Sequence, residues 1–197
     1  MRRFAILLVC LSAAAQEKEA ALGKQLAQDF RSHSTAIDNP TVQKYVDALG
    51  QQLADQMPDR RFPFTFGVVA DDPCPSRHAP TAFPGGYVFV PAALFLAAGN
   101  EVEFAQMLAH AMAHIVQGFP KLQNNKDGPL IYVVRSCDST AIPIGLTATQ
   151  RAAESDADTL ATEVMAKTSI APSDAFDEVR RILTPRVRPK KPPTLRR

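Results

Sequence analysis

The chain has 197 residues, of which 46% are hydrophobic and 21% charged, with a formal net charge of +2. This length suits one domain with a proper core, and the composition is that of an ordinary globular protein, which excludes an unstructured polar chain. The charge is unevenly spread, because residues 184–197 carry six basic side chains and no acid. The rest of the chain is therefore acidic, which argues against a nucleic-acid partner.

Residues 1–15 have the three parts of a secretory signal: basic Arg2 and Arg3, an apolar run, and small residues up to Ala15. The apolar run is too short to span a bilayer, so we expect cleavage after Ala15 and a mature chain in the periplasm or outside the cell. Residues 16–183 would form the folded domain, and residues 184–197 a basic, proline-rich, disordered tail. We expect the tail to contact an anionic envelope polymer or lipid head groups; a tail that only favours solubility is the alternative.

Two cysteines, Cys74 and Cys137, remain once the signal is removed. In a chain bound for an oxidising compartment we expect them to form a disulfide, which typically stabilises a fold by about 2–4 kcal/mol. Two free thiols are the alternative.

Hydrophobic spacing predicts a mainly helical α+β domain with a small sheet. In chain order, the expected elements are a helix over 17–34, a helix that follows the turn Asp38-Asn39-Pro40 and runs through Val42 to about Met57, a strand over 62–70, a loop over 71–84, a strand over 87–90, a short helix over 92–98, the helix Asn100 to Gly118, a helix from Thr147 to about Lys167, and a helix from Ser173. Residues 119–146 are the least interpretable, with a strand over 130–134 as the expectation there.

The helix from Asn100 to Gly118 is amphipathic and carries two histidines. Asn100 is a favourable N-cap, and Gly118 favours an end to the helix. Its apolar stripe consists of Phe104, Leu108, Met112 and Ile115. His110 and His114 lie one turn apart on a neighbouring face, so both imidazoles can point at the same spot, which is how a helix offers two nitrogen ligands to zinc.

The residue after the first histidine is Ala111, where the H-E-x-x-H motif of metallopeptidases has a glutamate. That glutamate is not a ligand; it takes a proton from the attacking water and delivers it to the leaving amine. A methyl group can do neither, and general acid–base help is worth about 10²–10⁴-fold. Taken alone, the helix leaves two interpretations open, a zinc-binding pair or two histidines four apart by chance.

Five stretches follow one known pattern in the same order along the chain. They are residues 17–27, residues 42–54, Ala82 to Val90, Asn100 to His110, and Glu154-Ser-Asp-Ala-Asp158, which is similar to the motif E-x-x-A-D. Together they resemble the gluzincin metallopeptidases that include HtpX, the CAAX prenyl protease and the Oma-like peptidases. The likeness covers most of residues 17–183 and is weakest across 119–146.

The resemblance implies a zincin-like fold in which the histidine helix, a glutamate-bearing helix and a small sheet surround one zinc ion. It implies that Glu154 is the third ligand and that Asp158 orients a ligand histidine by accepting its other N–H. It also implies an edge strand above the metal, where an extended peptide adds as a further strand. The residues of that turn and strand are Gly85, Gly86, Tyr87, Val88, Phe89 and Val90. A solvent-facing Glu154 and an ordinary hairpin are the alternatives.

Three interpretations follow, in different functional classes. We favour an inactive or strongly weakened relative that keeps zinc and a peptide groove, and that binds extended or unfolded polypeptides in the cell envelope for quality control or assembly. The second is an active zinc metalloendopeptidase whose base comes from residues 119–146 or from a partner, or a variant in which the glutamate was replaced. The third is a structural envelope module without metal. Zinc content separates the third interpretation, and the activity of the natural chain and of Ala111→Glu separates the first two.

Overall fold

Residues 2–58, 61–70, 79–118 and 148–184 are described by the structure, which is a computed structural model. Six α-helices, three strands and one 3₁₀ turn occur in these residues. They are α1 (Arg2–Ser32), α2 (Pro40–Ala54), β1 (Thr65–Val69), β2 (Thr81–Phe83), the turn Pro84–Gly86, β3 (Tyr87–Pro91), α3 (Ala92–Ala97), α4 (Glu101–Gln117), α5 (Ala148–Lys167) and α6 (Asp174–Leu183). The predicted class, a mainly helical α+β fold with a small sheet, is confirmed.

Helix starts fall where the sequence places capping residues. The Asn39 side chain accepts hydrogen bonds from the backbone N–H groups of Thr41 and Val42, at 3.0 and 3.2 Å, immediately before α2. The Ser173 hydroxyl accepts from the N–H of Phe176 at 3.2 Å and starts α6. Because a side-chain acceptor satisfies N–H groups that have no partner within the helix, these starts are determined locally.

The three strands form one mixed sheet in the order β1-β3-β2. β3 pairs in parallel with β1 and antiparallel with β2, so both of its edges are occupied. The prediction that the strand over Tyr87–Val90 is an edge strand is therefore wrong, and the expected loop over residues 71–84 is wrong at its end, where β2 lies. Two prolines flank Thr81–Phe83, and only pairing with β3, which lies further along the chain, identifies these residues as a strand.

The sheet lies between α1 and the other helices. Phe89 of β3 packs in a small apolar cluster with Ala27 of α1, whereas its neighbours Val88 and Val90 belong to the main core. This follows from the period of two in a strand, which directs successive side chains to opposite faces. The main core is centred on four aromatic rings in mutual contact, Tyr45, Phe95, Phe104 and Phe176.

Helix α1 approaches the turn before β3 at backbone distance. A Cβ atom built on Gly23 would lie 1.7 Å from the carbonyl oxygen of Pro84. Gly85 and Gly86 in that turn have φ values of 79° and 94°, a region that favours glycine. Three glycines are thus required for the helix to pack on the turn.

Several sequence predictions lie outside the described residues. They are the Cys74–Cys137 disulfide, the strand over 130–134, and the basic tail beyond Thr184. Helix α1 runs through residues 2–15 without a break, and cleavage after Ala15 stays a prediction. No helix in the described ranges combines the length and apolar character needed to cross a bilayer.

Candidate metal centre

The histidine helix, α4, is fixed at its start by reciprocal side-chain bonds. Asn100 accepts from the N–H of Glu103 at 2.9 Å, and the Glu103 carboxylate accepts from the N–H of Gly99 at 2.8 Å. The predicted apolar stripe of α4 is buried in the core: Phe104, Leu108, Met112 and Ile115. With the stripe held inward, His110 and His114 occupy the flank of the helix, where each is partly exposed.

Helix α5 packs alongside α4 and brings two carboxylates to that flank. Ala157, Leu160, Ala161 and Val164 form its buried face. Glu154 and Asp158 lie one turn apart beside this face, and both remain exposed to solvent. The packing of two helices therefore gathers four polar side chains at one place.

The four side chains form a compact cluster. His110 Nε2 lies 3.1 Å from His114 Nε2 and 3.3 Å from Glu154 Oε2, and His114 Nε2 lies 3.5 Å from the same oxygen. On its other side, His110 Nδ1 lies 2.8 Å from Asp158 Oδ1. The structure thus brings together the two histidines predicted from their spacing and the two acids for which the resemblance implied a role, and His110, His114 and Glu154 form a group that could hold a metal ion.

The protonation of the cluster follows from these contacts. An ionised carboxylate only accepts, so in the hydrogen bond to Asp158 the His110 Nδ1–H is the donor, which directs Nε2 toward His114 and Glu154. Burial lowers the pKa of His114 below its ordinary value, against the opposing charge of Glu154, so this imidazole is neutral at pH 7. The Nε2 atoms of both histidines and one carboxylate oxygen of Glu154 therefore converge on one point.

The distances between the three candidate ligand atoms, His110 Nε2, His114 Nε2 and Glu154 Oε2, fit zinc. Four ligands in a tetrahedron around zinc, at about 2.0–2.1 Å each, lie about 3.3–3.4 Å from one another. The three observed separations, 3.1, 3.3 and 3.5 Å, match that spacing. The described residues supply three ligands, and a zinc site with three protein ligands and an open fourth position is typical of catalytic rather than structural sites. A dication would also balance the charges of Glu154 and Asp158.

Ala111 is buried, with 4% of its surface exposed. Its methyl group has no acidic proton to donate and no lone pair with which to accept one. Among the described residues, the carboxylates in contact with the two histidines are Glu154 and Asp158, and both already bind imidazole nitrogens. No described residue thus replaces the missing glutamate.

Strand β2 flanks α4, and among the described residues it has a strand partner on one side only. That partner is β3. The opposite edge of the sheet, β1, is partly covered, because Ala70 donates to Thr35 at 2.8 Å and Ile37 donates to Val68 at 2.9 Å. Within the described part of the chain, Thr81–Phe83 is therefore the edge available for another strand.

Arg61 was not anticipated from the sequence, and no local signal marks it. Its guanidinium lies 3.4 Å from the carbonyl of Ile115 and 3.5 Å from that of Val116, in the last turn of α4. It also pairs with Glu19 of α1 at 3.1 Å. A cation at a helix C-terminus satisfies carbonyls without an intrahelical partner, so Arg61 secures the turn that carries His114.

Comparison with known proteins finds relatives that are named β-barrel assembly-enhancing proteases. The chain is 34% identical over 101 residues to the putative β-barrel assembly-enhancing protease of Vibrio cholerae, covering 51% of this chain and 20% of that protein. It is 33% identical over 101 residues to the β-barrel assembly-enhancing protease of Yersinia pestis, and 28% over 100 residues to that of Escherichia coli K12. The chain therefore spans about a fifth of the length of these relatives. No protein-family model matches the sequence.

Proposed function

We propose that the chain is a zinc-binding member of the gluzincin metallopeptidase group in which peptide hydrolysis is lost or strongly reduced. It keeps a metal centre and an open strand edge, and binds extended or unfolded polypeptides in the cell envelope. The observation that carries the proposal is the convergence of His110, His114 and Glu154, with nearest atoms 3.1–3.5 Å apart.

Each residue of the cluster has its own part. His110, His114 and Glu154 would hold the ion, and a bound zinc ion supplies Lewis-acid polarisation of a carbonyl and of water. Asp158 holds the proton on His110 Nδ1 and so keeps the ring turned with Nε2 toward the centre. Ala111 contributes no proton transfer, which is the step that would complete a peptidase.

A polypeptide partner is supported by the edge of β2 that no strand in the described part of the chain pairs with. An extended peptide gains main-chain hydrogen bonds by adding to a sheet edge, without a requirement for one sequence. The names of the relatives, β-barrel assembly-enhancing proteases, favour partners that are envelope proteins. We therefore place the chain in the periplasm or outside the cell, as a factor in assembly or quality control.

The basic tail has a separate proposed role. Its six basic residues favour anionic envelope polymers or lipid head groups. Deleting residues 184–197 should weaken binding to anionic vesicles without lowering the melting temperature. Unchanged vesicle binding would leave the tail only a role in solubility.

Two measurements on the purified protein test the proposed function. Its zinc content, by inductively coupled plasma mass spectrometry, should be stoichiometric and should be lost in His114→Ala. Cleavage of casein should stay at background for the natural chain. Ala111→Glu should raise chelator-sensitive cleavage, by up to about 10²–10⁴-fold, because it restores the group that carries the proton.

Ala111→Gln is the matched control for Ala111→Glu. It adds the same bulk at a buried position and cannot act as a base, so it should fold as Ala111→Glu does and remain inactive. Chelator-sensitive cleavage by the natural chain would contradict the loss of activity and support a base in residues 119–146 or on a partner. A purified chain that takes up no zinc would overturn the metal centre itself.

A further inference from the structure

Arg61 connects the N-terminal helix α1 to the end of α4 that carries His114. It lies between α2 and β1 and belongs to no helix or strand. Its Nη2 donates to the carbonyls of Ile115 and Val116 at 3.4 and 3.5 Å. Its Nη1 lies 3.1 Å from Glu19 Oε2 on α1. Since the two carbonyls directly follow His114, the guanidinium group bridges α1 and the turn that holds a candidate metal ligand.

The last turn of α4 has a use for such a donor. Its final carbonyls have no N–H partner in the α-helical pattern. Gly118, the residue after the helix, has φ 81° and ψ 141°, so it does not adopt the left-handed helical conformation with which a glycine commonly closes a helix. The guanidinium group lies close to this glycine, because a Cβ atom built there would be 3.3 Å from Arg61 Nη2. Arg61 therefore supplies a charged donor where the α-helical pattern supplies none.

Helix α1 holds both ends of Arg61. Glu19 pairs with the guanidinium group, and the side chain of Gln16 donates to the backbone carbonyl of Arg61. The guanidinium carbon also lies 5.8 Å from the centre of the Phe62 ring. These contacts restrict a long side chain that has many rotamers in solution. The position of the guanidinium group therefore depends on how α1 is docked.

The two histidines differ in what orients their rings. His110 Nδ1 is bonded to Asp158 at 2.8 Å. His114 contacts His110 and Glu154 through Nε2, and no described residue forms a hydrogen bond with its Nδ1. The direction of the His114 ring therefore depends more on the backbone of its own turn, which is the turn that Arg61 contacts.

We propose that Arg61 is a positioning residue for His114, through which the docking of α1 influences the affinity of the metal centre. The inference rests on the proposed function, because it concerns the same three ligands. A direct partner of a ligand histidine is typically worth about 10–100-fold in metal affinity. Arg61 acts through the backbone and its side chain is 39% exposed, so its effect is smaller.

Zinc affinity, measured on the full chain by competition with a chromophoric chelator, tests the coupling. Arg61→Gln should bind zinc about three- to fivefold more weakly than the natural chain. Glu19→Gln should weaken binding too, and should add nothing in the Arg61→Gln background, because it acts through Arg61. Arg180→Gln is the matched control and should bind as the natural chain does, since its guanidinium also lies over a ring, 5.6 Å from that of Phe176, but on α6.

A second readout needs no metal. In ¹H–¹³C correlation spectra of the metal-free protein, the ring signals of His114 should shift in Arg61→Gln and stay in place in Arg180→Gln. Val179→Ala separates positioning from stability, because it shortens a fully buried side chain of α6. It should lower the melting temperature and leave both zinc affinity and the His114 signals unchanged.

Equal zinc affinities for Arg61→Gln and Arg180→Gln would overturn the proposal, as would unshifted His114 signals in Arg61→Gln. It is also overturned if Val179→Ala loses as much zinc affinity as Arg61→Gln, because the effect would then follow stability, or if the losses in the double variant are additive. A natural chain that takes up no zinc would instead contradict the proposed function, and the ring spectra would still decide whether Arg61 positions His114.

Discussion

Asp158→Asn gives a direct test of how the metal centre is organised. The substitution keeps the size of the side chain but replaces a carboxylate that lies 2.8 Å from His110 Nδ1 with an amide. A neutral acceptor binds the imidazole N–H about half as strongly, and the amide can also turn its NH₂ group toward the ring. We therefore expect His110 to be a weaker and less well-oriented ligand in the variant.

The size of the effect can be judged from exposure. Loss of a carboxylate behind a ligand histidine typically costs 10–100-fold in metal affinity. Here the Asp158 side chain is 72% exposed and the His110 side chain 29%, so water screens the pair. The expected loss is at the lower end, about tenfold in zinc affinity, or ~1.4 kcal/mol.

The assay is a competition titration of the apo protein with zinc and a chromophoric chelator at pH 7. Asp156→Asn is the matched control, since Asp156 is an exposed aspartate on the same helix and two residues away. It removes the same charge from α5 without touching His110. Equal zinc affinities for the two variants would refute the orienting role of Asp158, provided that both keep the circular dichroism spectrum of the natural chain.

Three other perturbations probe the site and the fold. Glu154→Gln should lower zinc affinity well beyond the tenfold expected for Asp158→Asn, because it removes an anionic ligand, whereas Glu163→Gln on the same helix should not; equal losses would exclude Glu154 as a ligand. Gly23→Ala should lower the free energy of unfolding by roughly 1–3 kcal/mol, since the added methyl group overlaps the carbonyl of Pro84; a higher melting temperature would contradict this contact. Burial and, after it, the adjacent carboxylate of Glu101 raise the pKa of the Tyr45 hydroxyl above its usual 10.0. The unfolded chain therefore ionises first as the pH rises, so the free energy of unfolding keeps this contribution below pH 10 and decreases above pH 10. Urea unfolding between about pH 9 and 11 should show this slope, and Tyr45→Phe should reduce it; an unchanged slope would refute the assignment.

The parts of the fold that could be predicted are those that local chemistry determines. Asn39, Asn100 and Ser173 satisfy N–H groups within three residues of themselves, so the starts of α2, α4 and α6 could be placed from the sequence. The buried stripe of α4 follows from spacing alone. The approach of Glu154 and Asp158 to the histidines came from a resemblance, because nothing local specifies contact between residues forty or more positions apart.

The predictions that failed concern non-local pairing. Tyr87–Pro91 was expected at the edge of the sheet, yet it is the central strand, since strand order depends on which segments meet in three dimensions. Thr81–Phe83 is identified as a strand by its pairing with β3, because three residues are too few to show the alternation of apolar and polar side chains that predicts a strand. The burial of Glu101 against Tyr45 and Ser173 is likewise non-local, because it depends on how α2 and α6 pack against the first turn of α4.

The close passage of α1 over the turn at Pro84 bears on how this protein can be shortened or fused. Among the residues of α1 whose side chains the structure describes, Gln16 bonds to the carbonyl group of Arg61 and Glu19 to its guanidinium group. An affinity tag joined just ahead of Gln16 would leave this contact surface complete. Removing residues up to and including Glu19 would remove the ion pair between α1 and Arg61. Because Arg61 also contacts the carbonyls of the last turn of α4, the truncation would affect the C-terminal end of the histidine helix.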